Sequence, residues 1–483
     1  MYPWALQKIH VSWLVASWCV GLIVGVIGVM GLPYGFFSGI SWLFLGLVVL
    51  LPLVKAQRRW MILLALVSGL LIGLWRGGVG QTGLEHYERM FGEVVTVDGR
   101  VLEDPDLNAR AQTVLRLGDI SVEGVELPGN IWAVTHKNEI IKRSDEVTVK
   151  GVMSEGFGSF TGSIYRAEIV EIERPVPGDV AVGVRDWFAE QVKEHIPETE
   201  AALGLGYLLG LRRALPTELV EVLQIAGLTH IIVASGYNLT ILVRLSRRMF
   251  VRVSKYLATL SASSMILGFM AVTGMSPSMS RAGLVAGLSL AAWYYGRKIH
   301  PLVLLPFAGA VTLMVNPQYG WNDLGWQLSF AAFAGVIMCA PLIQRYFFGE
   351  KEPGVLRQII GETLSAQLFT LPLLIIAFGV VSNVALIANV LILPFVPLAM
   401  LLVFLTGVLS SVPLLGEFVA APTTWLLGYM VNVAEWLAGQ PWAQMEVSIG
   451  WWAVLAAYSM LALGIWWMQR ATGYRMRESN IVE

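Results

Sequence analysis

Charge is scarce in this sequence. Asp, Glu, Lys and Arg make up 14% of its 483 residues, while 56% are hydrophobic. A soluble domain carries charge on roughly a quarter of its residues, so a water-facing globule of this length is excluded. Cysteine is nearly missing. Cys19 and Cys339 each lie inside an apolar run, which excludes a disulfide framework and makes both small buried hydrophobes. The six histidines are scattered and no His-x-His-x-Asp-His run occurs, so no two-metal hydrolase can be assembled and neither a metal nor another cofactor is expected. The glycines of LGLGYLLGLRR (203–213) lack the Gly-Lys-Ser/Thr that a nucleotide-phosphate loop needs. A formal net charge of −1 offers no bulk attraction to nucleic acid.

Long apolar runs take the place of charge. Mean hydropathy is +0.65, and many runs are long enough to cross a membrane, so the chain reads as a polytopic α-helical membrane protein. VSWLVASWCVGLIVGVIGVMG (11–31) is longer than a signal-peptide core, and runs near 36–54 and 60–78 follow it. Residues 1–79 are therefore expected to hold three spans. The basic KAQRR turn between the second and third places itself and the N-terminus in the cytoplasm.

Later runs fall near 201–211, 222–243, 257–274, 278–296, 300–316, 323–344, 359–380, 383–412, 420–437 and 448–468. Basic loops at 244–255, 296–298, 344–357 and 469–477 belong inside, whereas NPQYGWND and AGQPWAQMEVS, without Lys or Arg, belong outside. One crossing per run from 228 onward meets every placement. The expectation is about twelve spans, some broken or re-entrant, with 201–211 re-entrant or interfacial because it ends in Arg212-Arg213. Residues 199–470 form the main membrane domain, and 471–483 a cytoplasmic tail.

Residues 80–178 change character. EVVTVDGRVLE, AQTVLRLGDISV, DEVTVKGVM and SIYRAEIVEIE alternate with the two-residue period of half-buried strands, and EDPDLN, GVELPGN and SEGFGSFTGS punctuate them as turns. About five strands in this length suit a small inserted extracytoplasmic β-barrel, with the OB-fold leading over a generic sandwich. Between Glu93 and Arg174 there are fifteen acidic and nine basic residues, a net of −6. With only Trp132, Phe157, Phe160 and Tyr165 available for stacking, strong nonspecific DNA binding by this domain is not expected. Residues 179–198 include VRDWFAEQVKEHIP, which sets Val184, Trp187, Phe188 and Val192 opposite its charges, as an interfacial amphipathic helix would.

Several apolar runs carry polar groups that lipid cannot satisfy. THIIVASGYNLTILV (229–243) holds His230, Ser235, Asn238 and Thr240. TGMSPSMSRAGL (273–284) puts Arg281 at a proline-kinked entry, and NDLGWQLSFAAF (322–333) brings in Asp323, Gln327 and Ser329, the first two on one helix face. GETLSAQLFTLPLL (361–374) adds Glu362, Gln367 and Thr370, and VSNVALIANVLILPFVP (381–397) adds Asn389 ahead of Pro394 and Pro397. One Ser, Thr or Asn in a span is ordinary interhelical glue, Asp323 by itself is a helix cap, and Arg281 by itself can snorkel. These five polar stretches together, three of them broken by proline, point to discontinuous helices facing protein or a hydrated path.

At these stretches the sequence resembles the ComEC family of competence proteins. GLTHIIVASG (227–236) is similar to that family's Gly-Leu-x-His-x-x-x-x-Ser-Gly signature, and SPSMSRAG to its Pro-x-x-Arg-Ala element with one residue added. DLGWQLSF (323–330) matches Asp-x-Gly-x-Gln-Leu-Ser-Phe; QLFTLP (367–372), Phe378-Gly379, Asn389 and Pro394 follow the family's order. The resemblance implies an inner-membrane channel that takes up single-stranded DNA during natural transformation. It also implies membrane lipid around the chain, a separate nuclease, a cytoplasmic helicase or ATPase, and a homo-oligomer as partners. The expected path residues are His230, Ser235, Asn238, Arg281, Asp323, Gln327, Ser329, Gln367, Thr370 and Asn389.

Asn238 stands where many members carry His, which removes a titratable group. Many members also continue into a metallo-β-lactamase-like nuclease domain; here twelve residues follow Ala471, and no nuclease activity is expected of this chain. Two other readings compete: a transporter of a smaller solute around a midplane polar site, and an intramembrane enzyme using Ser235 and His230, whose five-residue spacing aligns them poorly on a helix.

Overall fold

The computed structural model describes residues 8–33, 35–55, 58–107, 112–136, 141–176, 178–211, 215–232, 236–274, 276–297, 299–349 and 353–474. The chain divides into two compact units, residues 1–179 with 299–327, and 180–298 with 328–483. In chain order the helices are α1 (Val11–Gly28), α2 (Ile40–Lys55), α3 (Met61–Glu88), α4 (Val180–Lys193), α5 (Glu198–Leu209), α6 (Thr217–Ile225), α7 (Thr229–Ile232), α8 (Gly236–Phe250) and α9 (Lys255–Thr273). They continue as α10 (Pro277–Tyr294), α11 (Pro301–Val315), α12 (Gln318–Asn322), α13 (Leu324–Phe348), α14 (Val355–Phe378), α15 (Ala385–Ile392), α16 (Val396–Leu409), α17 (Pro413–Ala438) and α18 (Trp451–Thr472).

In the first unit, α1 and α3 meet along two facing Gly-x-x-x-Gly pairs. Gly21 and Gly25 lie on the carbonyls of Leu66 and Leu70, and Gly69 and Gly73 on those of Trp18 and Leu22. Any Cβ there would overlap backbone, so these glycines set the helix separation. With 28 residues, α3 is about 42 Å long, more than the roughly 30 Å of a bilayer's hydrocarbon. Its far end plants Tyr87, fully buried, in the core of the β-domain. Helices α11 and α12 also belong to this unit. The C-terminal carbonyls of α11 at Met314 and Val315 accept from Arg76 Nε and Nη2 at 2.8 and 2.9 Å, a cation at the negative end of a helix.

The strands of the β-domain are β1 (Val94–Val101), β2 (Asp106–Leu107), β3 (Thr113–Val122), β4 (Val125–Leu127), β5 (Ile131–Thr135), β6 (Glu146–Val152), β7 (Ser154–Glu155), β8 (Gly162–Ile164) and β9 (Glu168–Glu173). They pair in the order β7-β8-β5-β3-β1-β6-β9, with β2 and β4 attached to β3. Alternation on β1 sends Val97 and Val101 into the core and leaves Asp98 and Arg100 outside. The β8–β9 segment pairs first in parallel with β5 and then antiparallel with β6, and between them Ala167 N donates to Val134 O at 2.8 Å. Arg143 Nε and Nη2 and Ser144 Oγ all donate to Asp179 Oδ2, at 3.0, 2.9 and 3.1 Å, tying down the chain as it leaves the domain.

The second unit packs around α5, whose residues Ala201–Leu208 are all buried. At 12 residues, about 18 Å, α5 is too short to cross a bilayer. Gly204 sits against Val403 and Leu427, on α16 and α17. The stripe expected on α4 is split: Phe188 and Val192 are buried, while Val184 and Trp187 stay exposed. Phe188 packs on Gly407 and stacks with Phe404, and Gln191 accepts from Ser410 Oγ at 2.9 Å. The buried face of α4 thus runs alongside α16, and protein rather than lipid covers it. Two further strands, β10 (Val380–Ser382) and β11 (Gln444–Glu446), pair antiparallel.

Among the described residues eight segments are long and apolar enough to cross a membrane: 11–31, 61–88, 255–273, 324–348, 355–378, 385–409, 414–438 and 451–472. Ile40–Pro52 and Pro301–Val315 are shorter apolar helices. The chain is a multi-pass membrane protein. The difference from the expected twelve or so lies in four runs: those near 36–54 and 300–316 return as the two shorter apolar helices, and two others are not among the eight. The run at 222–243 is divided among α6, α7 and α8, and the run at 278–296 forms α10, whose first turn carries Ser278, Ser280 and Arg281.

Candidate functional site

Among the described residues, Arg281 is the one expected path residue that gathers others around it. Ser276 caps α10 by accepting from Met279 N, and this sets the first turn on which Ser278 and Arg281 lie. Arg281 Nε donates to Ser329 Oγ on α13 at 2.7 Å, and Ser278 Oγ stands 3.4 Å from the same hydroxyl. The guanidinium lies over two rings of α13, 5.7 Å from the Phe330 centroid and 5.4 Å from that of Phe333. Gly236, the first residue of α8, completes the group: a Cβ there would stand 3.5 Å from Arg281 Nη2 and 3.1 Å from Ala282 Cβ. Among the described residues Arg281 forms no ion pair. Hydroxyl and ring faces stabilise the charge without cancelling it, and the positive end of α8 adds to it. Chemically, this is a place for an anion.

The remaining expected residues are held in other ways. Asp323 Oδ1 accepts from Trp326 N at 2.6 Å, so it caps α13. Gln327 Nε2 donates to Trp321 O at 3.2 Å, and Trp326 Nε1 to Thr312 Oγ1 at 2.9 Å. Asn238 is fully buried; its Nδ2 donates to Tyr207 O at 3.0 Å and Ile231 O at 3.4 Å. These are carbonyls in the last turns of α5 and α7, where helices leave such groups without partners. Asn238 therefore joins three helix ends, a task for amide donors in which titration has no part. His230 is exposed, and its Nδ1 lies 3.1 Å from Gly227 O. Gly227, at φ +71° against Ala385, makes the turn between α6 and α7. Thr370 Oγ1 donates to Ala366 O at 3.0 Å within its own helix. Gln367 is half-buried on α14 and Asn389 is buried on α15. No hydrogen bond among the described residues links His230, Gln367, Thr370 or Asn389 to the Arg281 group. Ser235 lies outside the described residues. Two surface grooves, one along α17 between Trp425 and Trp436 and one between Phe378 and Ile449, contain none of the expected residues.

Sequence reasoning missed how the broken helices are repaired. Pro372 and Pro394 each lack an N–H and crowd the turn before them, which loosens the hydrogen bonding of that turn. In both cases a tyrosine hydroxyl donates to the carbonyl three residues earlier: Tyr458 to Phe369 O at 2.8 Å and Tyr429 to Leu391 O at 3.3 Å. Each tyrosine comes from another helix, so the signal is a spatial pairing that no local pattern carries. Gly379, at φ +68°, ends α14 with its N–H on Ile375 O, and its own carbonyl accepts from Val447 N at 2.8 Å.

The architecture defines a class: a multi-pass membrane protein of proline-broken helices, with a β-rich domain grown from its third helix and an arginine, without an ion pair among the described residues, held between hydroxyl and aromatic groups. The profile of the family described as competence protein matches residues 207–471, more than half of the chain, and the chain belongs to that family. Among curated proteins, ComE operon protein 3 of Bacillus subtilis (strain 168) is 26% identical over 218 residues, 44% of this chain and 27% of that protein. An uncharacterized protein of Aquifex aeolicus (strain VF5) is 28% identical over 161 residues, 32% of this chain and 37% of that one. The matched stretch thus spans between about a quarter and two fifths of these relatives. No solved structure matches.

Proposed function

We propose that this chain serves competence DNA uptake, in the cell's inner membrane, as the channel that conducts single-stranded DNA, with Arg281 contacting the passing phosphates. The observation that carries this is the Arg281 guanidinium, held by Ser329, Phe330 and Phe333 with no carboxylate paired to it among the described residues. A polyanion needs such a cation, and a phosphodiester suits a fork of N–H donors. Membership of the competence family and the likeness to ComE operon protein 3 support the cargo. His230, Ser235, Asn238, Asp323, Gln327, Ser329, Gln367, Thr370 and Asn389 belong to the same proposal as residues that shape or support the path. A separate nuclease, a cytoplasmic ATPase and further copies of the chain are the partners it implies. The β-domain is an OB-like barrel in this reading, closed by the β8–β9 segment bridging β5 to β6, and it docks partners instead of holding DNA by charge.

The experiment is complementation of a deletion strain, scoring transformation frequency at matched protein abundance. Wild type restores uptake. Arg281→Ala loses roughly ten- to a hundredfold, the range for one charged hydrogen bond, and the Arg281→Ala/His230→Ala pair loses at least as much. Undiminished transformation by the double variant overturns the proposal. Accumulation of a small anionic solute that depends on Arg281 would reassign the site to a solute transporter.

A further inference from the structure

We infer that the cationic cluster shared by the ends of α8, α9 and α10 binds the headgroups of anionic phospholipids. No Asp or Glu occurs between Glu221 and Asp323, a stretch that holds eight Lys and Arg residues. Six of these, Arg244, Arg247, Arg248, Arg252, Lys255 and Arg297, fall where the three helices turn around, and all but half-buried Arg247 are exposed. None of the six forms an ion pair among the described residues. They are gathered despite their repulsion. Arg247 Cζ stands 5.0 Å and Lys255 Nζ 5.4 Å from the Trp293 ring centroid, and Lys255 Nζ 5.7 Å from that of Tyr294. One indole thus holds cations from two helices without neutralising either.

The neighbouring side chains decide what kind of anion fits. Met249, Val253, Tyr256 and Tyr295 are 64%, 75%, 66% and 74% exposed. A nucleic-acid backbone would satisfy the cations and leave Met249 and Val253 in water. A bilayer surface satisfies both sets, phosphates on the cations and the acyl boundary on the apolar groups. Position agrees, because α9 is a candidate span that begins at Lys255. Six uncompensated charges select an anionic headgroup over a zwitterionic one. The inference stands apart from the DNA reading and uses none of its residues.

Native mass spectrometry of the full chain in neutral detergent, offered equal phosphatidylglycerol and phosphatidylcholine, tests it. Wild type is expected to retain the anionic lipid about tenfold more. The R244Q/R248Q/R252Q variant is expected to lose that preference with unchanged circular dichroism. Should that variant fail to fold, removal of the charges at Lys255 and Arg297 by K255Q/R297Q gives a smaller loss of the same kind. Glycerol 3-phosphate, a headgroup phosphate without acyl chains, is expected not to displace the lipid. Equal retention of the two lipids overturns the inference, as does displacement by glycerol 3-phosphate at the concentration where phosphatidylglycerol itself binds. Displacement by an oligothymidylate through the same arginines also overturns it, and assigns the cluster to nucleic acid.

Discussion

A guanidinium moved into the middle of a bilayer costs about 3 kcal/mol on insertion scales, and cation–π contacts return about 0.5–2 kcal/mol each. Arg281 has two such rings and one hydroxyl acceptor, so its position is tolerable while its charge stays available. Lysine keeps the charge but loses the planar fork; Arg281→Lys is expected to hold the fold and still transform less well than wild type, as complementation will measure. Asp323 allows a sharper separation of roles. If it acts as the cap of α13, Asp323→Asn is nearly neutral, whereas Asp323→Ala lowers stability by about 1 kcal/mol, readable as a shift in thermal unfolding in detergent. A loss of uptake in Asp323→Asn would assign its charge a direct part in transport. Asn238→Ala strands two buried carbonyls and is expected to cost roughly 2–4 kcal/mol, seen in the same melt.

At the scale of elements, the glycine-lined contact of α1 and α3 and the tyrosine repairs of α14 and α15 are the devices most open to test. Gly69→Leu forces the two backbones apart and is expected to cost several kcal/mol, about the range for severe overpacking, with reduced accumulation of the protein in membranes as the readout. Tyr458→Phe removes the donor to Phe369 O and is expected to cost about 1 kcal/mol; Tyr429→Phe, with its longer bond, costs less. Element by element, the sequence was informative where one period governs a segment. The runs at 11–31, 60–78 and 359–380 return as α1, α3 and α14, and the alternation at 93–103 and 145–153 returns as β1 and β6. It was silent on contacts made at a distance: the bond from Arg76 to the end of α11, the seat of Phe188 on Gly407, and the strand β4 inside the GVELPGN stretch that reads as a turn. Asn238, Asp323 and Gln327 stand out in the sequence as polar groups lipid cannot satisfy, and their partners are backbone groups of nearby helix ends.

For the whole molecule, belonging to the competence family and being a multi-pass membrane protein set the frame, and the proposal adds a polyanion that passes Arg281. Family motifs that looked like one polar lining do two kinds of work: DLGWQLSF begins with a helix cap and ends with Ser329 and Phe330 at the arginine. The most direct test replaces Phe333 with p-benzoylphenylalanine, which keeps a ring beside the guanidinium, and irradiates cells during uptake of labelled DNA. The same photoprobe at Phe404, against α4, serves as the control. The expected result is a covalent adduct with single-stranded DNA from position 333, none from position 404, and loss of the adduct in Arg281→Ala. Active uptake with no adduct at 333, or equal adducts at both positions, would contradict a path along Arg281.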